Sequence, residues 1–142
     1  MKKIAMLCLL SLLFLCTGCE IVDHEANKQL VIQMVSENCD VLLADIAAKE
    51  FPYSEKIDGI TSIHPEDDCT FIEYVCGGHG IAPSSSYWGF YYAEDDDMTK
   101  IWCANEPLVP QGEGFVYQQP DGDNRYYTEH IVDHFYFYEA SY

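Results

Sequence analysis

The sequence predicts an α+β domain, with one N-terminal amphipathic helix packed on an antiparallel meander sheet of four to six strands. Three observations carry this. Apolar residues recur with helical period in one stretch only, residues 24–50. After Pro52 the apolar residues are mostly β-branched and aromatic and fall in short runs. The runs are separated by turn-forming segments: "HPEDD", "GGHGIAPSSS", "EDDDM", "NEPLVPQGE" and "PDGDN".

Within the helix, Val31, Met34, Val35, Cys39, Leu42 and Ile46 share one apolar stripe, and Gln29, Gln33, Ser36, Glu37 and Asp40 fall opposite it. Asp23 is suited to the N-cap, and Pro52 enforces the stop because the residue before a proline avoids the α region. The expected strands cover residues 56–63, 69–76, 87–93, 99–104, 114–119 and 126–138, with a hairpin at "PDGDN". A helix on one face of such a sheet makes a two-layer domain. The layout is similar to the helix-and-sheet architecture of cystatins and nuclear-transport-factor domains, an analogy of shape that carries no function.

The first nineteen residues are of a different kind. Lys2 and Lys3 precede the uncharged run "IAMLCLLSLLFL", which is too short to span a hydrocarbon core of about 20 apolar residues and has the form of a secretory signal peptide. It ends in Cys16, Thr17, Gly18 and Cys19, which resembles the lipobox of bacterial lipoproteins, although Cys16 stands where Leu is usual and Leu15 is beside it. The resemblance implies cleavage after Gly18 and a diacylglyceryl group on Cys19. Residues 1–18 are then the signal peptide, residues 19–23 a lipid-anchored tether and residues 24–142 a single domain. The protein would be held at the extracytoplasmic face of a cell membrane or outer membrane. Two or more acyl chains give stable anchoring. An ordinary signal peptide that releases a soluble protein is the alternative.

Composition narrows the function. The chain carries 24 acidic and seven basic side chains, two of the latter in the leader, so the exported part has a formal charge of 5 minus 24, or −19. That field repels nucleic acid and anionic headgroups, and most such acidic surfaces serve solubility. Eleven tyrosines, seven phenylalanines and two tryptophans set the chain apart from acidic disordered sequences.

Cys39, Cys69, Cys76 and Cys103 remain for the exported domain, where disulfides persist. Cys69 and Cys76, seven residues apart in one expected strand, are roughly 23 Å apart and out of bridging range. The face carrying Cys76 lacks the charge of Glu73, so Cys76 is the expected mate of Cys39, leaving Cys69 with Cys103; buried free thiols are the alternative. No metal or cofactor is expected. The cysteines lack zinc spacing, His130 and His134 on one strand would stand about 13 Å apart, and the acidic clusters lack an EF-hand register.

The segment "SSSYWGFYYAEDDD" puts aromatics on both faces of one strand, and one helix covers one face. Tyr87, Trp88, Tyr91 and Tyr92 are therefore the candidate binding surface for an envelope protein, peptide or glycan; burial in a core strand is the competing reading. The leading expectation is a lipid-anchored, non-enzymatic binding or sensing module. The alternative is a small secreted hydrolase or thiol-dependent enzyme using Cys76 and His79 of "CGGHG", which a glycine-rich turn would equally explain.

Overall fold

Helix α1 (His24–Ala48) leads through a 3-10 turn (Ser54–Lys56) into seven strands: β1 (Ser62–Pro65), β2 (Phe71–Ile81), β3 (Ser84–Ala93), β4 (Val109–Gln111), β5 (Gly114–Gln118), β6 (Arg125–Val132) and β7 (Phe135–Ser141). The structure is a computed structural model and describes residues 24–81, 84–100 and 107–142. The strands form one antiparallel sheet in the order β1-β2-β3-β7-β6-β5-β4. The α+β class holds, but among the described residues the strand count is seven and the meander is interrupted. After β3 the chain crosses from the middle of the sheet to its far edge and returns strand by strand.

α1 ends by its own geometry. Lys49 takes a left-handed φ of 55°. Its N–H bonds the carbonyl of Ile46, and that of Glu50 bonds Asp45, the paired closure of a Schellman motif. Asp45, buried on the last turn, accepts three hydrogen bonds at Oδ2, from the N–H of Tyr53 (3.1 Å), the N–H of Ser54 (2.7 Å) and the hydroxyl of Ser54 (2.7 Å). This carboxylate folds residues 53–56 back toward the helix as a 3-10 turn. The strand expected from residue 56 therefore begins only at Ser62.

Other differences have equally local causes. The run 126–138 is two strands, because Asp133 takes a φ of 46° and reverses the chain at residues 133–134. β2 continues through "GGHGI", so this segment is strand and not turn. β4 arises within a stretch expected to be loop. Its Pro110 is tolerated because β4 is an edge strand. Of the strand expected at 99–104, Thr99 and Lys100 lie in a turn and the rest falls outside the described residues.

Each face of the sheet carries a buried cluster. α1 covers one: Val31, Val35, Leu42 and Ile46 pack on Ile72, Tyr74, Phe90, Tyr92, Phe135 and Phe137. Each such side chain contributes about 1.5–3 kcal/mol on burial. The alternating residues form the opposite face, where Phe71, Tyr91, Tyr126, Tyr136 and Tyr138 cluster with Met98 and Leu108 of the β3–β4 connection. There the Tyr91 hydroxyl and Thr128 Oγ1 lie 2.8 Å apart, and Thr128 donates to the Phe137 carbonyl. Lys28 to Glu129 and His24 to Glu139 fix α1 over β6 and β7.

Replacing the Asp45 acceptor leaves the buried Ser54 donors without a partner. Asp45→Ala is expected to lower unfolding free energy by about 3 kcal/mol and Ser54→Ala by about 1 kcal/mol, measured by urea titration. Equal, small losses in both variants would show that the carboxylate does not organise this turn.

Candidate functional site

A groove of about 880 Å³ lies between α1 and residues 53–59, with the β2–β3 pair as its floor. Val31, Met34 and Val41 line one wall, Tyr53 and Ile57 the other, and Cys76 and Trp88 the floor. Three apolar side chains are left open to solvent along it: Leu30 is 65% exposed, Val41 40% and Tyr53 62%. Lys56, Asp58 and Glu37 stand among the lining residues as the charged contribution. Asn27, Gln33 and Asn38 add amides, so the lining mixes apolar and polar side chains, and a concavity of this size with both can serve as a binding site.

The floor explains the glycines of "CGGHG". In the β2–β3 register Gly77 stands opposite Trp88 and Gly78 opposite Tyr87. A Cβ on Gly77 would collide with the Trp88 indole, and one on Gly78 would lie 2.6 Å from the Tyr87 ring. The two glycines thus let aromatic rings lie across the neighbouring strand. A bulge between Val75 and Gly77 shifts the register at the same place. The β1 pairing ends at Val75, so no described strand covers that edge of β2 beyond it.

The four expected surface aromatics divide. Trp88 is half-buried in the groove and Tyr87 is 44% exposed on the opposite face. Tyr91 and Tyr92, by contrast, are buried, Tyr92 under α1 and Tyr91 against Tyr136, its ring stacked at 5.2 Å. They belong to the two cores, because each face of β3 is covered at that level of the sheet. Leu30, Val41 and Tyr53 went unrecognised in the sequence. Leu30 and Val41, like Ile32 and Leu43, are apolar residues of α1 outside the stripe, and of these four Leu30 and Val41 are the exposed ones.

The cysteines also rearrange. Cys39, Cys69 and Cys76 are free thiols, and Cys103 lies outside the described residues, as does Cys19. Cys39 does not meet Cys76, because the two are on opposite flanks of α1. Cys39 donates to Asp133 in the β6–β7 turn (3.4 Å), whereas Cys76 faces the groove on the β2 side. Burial, then the hydrogen bond to Asp133 and its charge, push the Cys39 thiol up to about 11; burial alone pushes that of Cys76 to about 12. Cys69 precedes β2 with a φ of 60° and packs toward the same core as Cys76, outside the strand alternation that assigned them opposite faces. His79 lies with its ring 6.0 Å from Trp88.

Histidines and acids elsewhere serve turns. His134 Nδ1 and the Tyr136 hydroxyl both bond Asp96, at 2.9 and 2.7 Å, and hold its carboxyl below the usual range, Tyr136 contributing most. His130 Nε2 contacts the Asp133 carbonyl. Asp68 and Asp97 each accept from the N–H and hydroxyl of a threonine two residues on.

No protein-family model matches the chain, and no curated protein or solved structure shows significant similarity to it.

Two outcomes follow from this geometry. Gly77→Ala is expected to displace Trp88, with a shift of tryptophan emission and a loss of about 1–3 kcal/mol, read by fluorescence during urea unfolding. An unaltered spectrum at full stability would contradict the seating of the indole. Thiolates at Cys39 and Cys76 are disfavoured below about pH 11, so both should resist iodoacetamide at pH 8 in folded protein and react once unfolded. Asp133→Asn should lower the Cys39 value and speed its alkylation, while a Cys39–Cys76 crosslinked peptide in non-reducing maps would refute their separation.

Proposed function

We propose that this protein is a lipid-anchored, extracytoplasmic envelope protein, a non-enzymatic binding module that captures an apolar stretch of an envelope peptide or protein in the groove beside α1. The groove carries the reading: Leu30, Val41 and Tyr53 remain open to water beside Trp88 although the chain has a closed core on both faces of its sheet. Exposed apolar groups gathered in one concavity gain about 25 cal/mol for each Å² a partner covers. Aliphatic walls favour apolar side chains, while a glycan would have Trp88 as its stacking surface and would leave those walls unsatisfied. Anchoring rests on the lipobox resemblance at Cys19. A thiol-enzyme reading finds little support at Cys76, whose buried thiol stays protonated near neutral pH.

The test is photocrosslinking in cells from a benzophenone amino acid placed at Leu30 or Val41. A discrete protein or peptide adduct is expected from both positions, lost on Trp88→Ala and absent from a control position at Asp123. Cys19→Ser should move the protein from the membrane fraction to the soluble one. Adducts of equal yield at Asp123, or none at either groove position, would overturn the binding assignment; membrane retention of the Cys19→Ser variant would overturn the anchor.

A further inference from the structure

A second concavity, of about 770 Å³, lies between the start of α1, the β4–β5 turn and the sheet surface of β3, β7 and β6. Its charges are mostly consumed. Lys28 bonds Glu25 (3.3 Å) and Glu129 (3.2 Å), the Tyr127 hydroxyl donates to Glu129, and His24 pairs with Glu139. Two are not. Arg125 and Glu113 both line the pocket, and among the described residues neither side chain makes an ion pair or hydrogen bond, with the other or with anything else. Arg125 is the sole arginine of a chain with 24 acids, so a guanidinium without a carboxylate partner is a notable vacancy of charge.

The register explains why Arg125 is left over. Cross-strand pairing places Ser86, Ser141, Arg125 and Gln118 in one row across β3, β7, β6 and β5. These hydroxyl and amide neighbours carry no charge to pair with the guanidinium. The diagonal acid in the next row, Glu139, is occupied by His24. Glu113 sits in the β4–β5 turn, between Gln111 and Gly114, and lines the same concavity as Arg125. Tyr127 and Phe137, with ring centroids 6.4 Å apart, lie among the lining residues.

We infer that this pocket binds short free peptides of two or three residues, with the carboxylate end on Arg125 and the ammonium end on Glu113. A simple anion would meet the field of four lining or neighbouring glutamates, and a simple cation would meet Arg125; a ligand bearing both charges satisfies each. A tripeptide extends roughly 10 Å, a length that a concavity of about 770 Å³ accommodates. The guanidinium provides a planar, bidentate match for a terminal carboxylate, with Ser141 paired beside it and Ser86 one strand further along the row. The inference stands apart from the α1 groove and does not depend on its occupant.

A single arginine gives a single Nε–Hε resonance, so ¹⁵N-labelled protein from the full chain carrying Cys19→Ser reports directly on Arg125. Titration with trialanine to about 10 mM is expected to shift that resonance saturably. N-acetyl-trialanine and trialanine amide should each bind at least fivefold more weakly. In Glu113→Gln, free trialanine should bind as weakly as the acetylated peptide binds the parent, and the acetylated peptide should be unaffected. Absence of a shift, an equal shift with acetate alone, or insensitivity to either blocking group would overturn the assignment.

Discussion

The structure depends on one constraint, that β3 presents aromatic rings to both faces of the sheet. Phe90 and Tyr92 point to one side and Tyr91 to the other, all buried. A single helix covers a single face. The chain meets the other requirement by topology, with Met98 and Leu108, from the two ends of the β3–β4 connection, packed on the second cluster. That same connection carries the chain to the far edge of the sheet, from which four strands build back to β3. The strand order and the two cores thus follow from one demand for burial.

Much of this was legible in the sequence, and the failures are specific. The stripe from Val31 to Ile46 located α1 to within two residues at its C-terminal end, because helical period and a stop signal agree there. The aromatic strand and the "PDGDN" hairpin were equally plain. Asp45 was not: a carboxylate on a helix face is ordinarily solvated, and its three hydrogen bonds to residues 53 and 54 depend on how the chain returns. Asp133 was missed because a lone aspartate within a β-branched and aromatic run gives little sign of a left-handed turn. The glycines of β2 were misread as turn residues because their role lies with Trp88 and Tyr87 on the adjacent strand, which local composition does not contain.

For the candidate site the sequence pointed to strand β3 and, of its four aromatics Tyr87, Trp88, Tyr91 and Tyr92, only Trp88 lines the groove. Trp88 reaches the groove, but its other members come from the back of α1 and from the segment that Asp45 folds. A site assembled from three elements is set by packing, not by spacing. Periodicity can still flag such residues as the apolar positions that the core leaves out. Charge supplies the parallel clue in the second pocket, where one arginine among many acids has no partner among the described residues.

The order of the strands also concentrates the cost of assembly. Neighbours on either side of the middle, from β1 to β3 and from β4 to β7, are joined by short connections and pair locally. The β3–β7 seam instead brings together Tyr92 and Phe135, 43 residues apart (135 minus 92). Closing a loop of that length costs more chain entropy than closing a hairpin, and the contacts that repay it form only once the seam is made. The molecule is in this sense two locally folded ribbons zipped along one distant junction, where Tyr91 stacks on Tyr136 and Phe90 meets Phe135 edge to face.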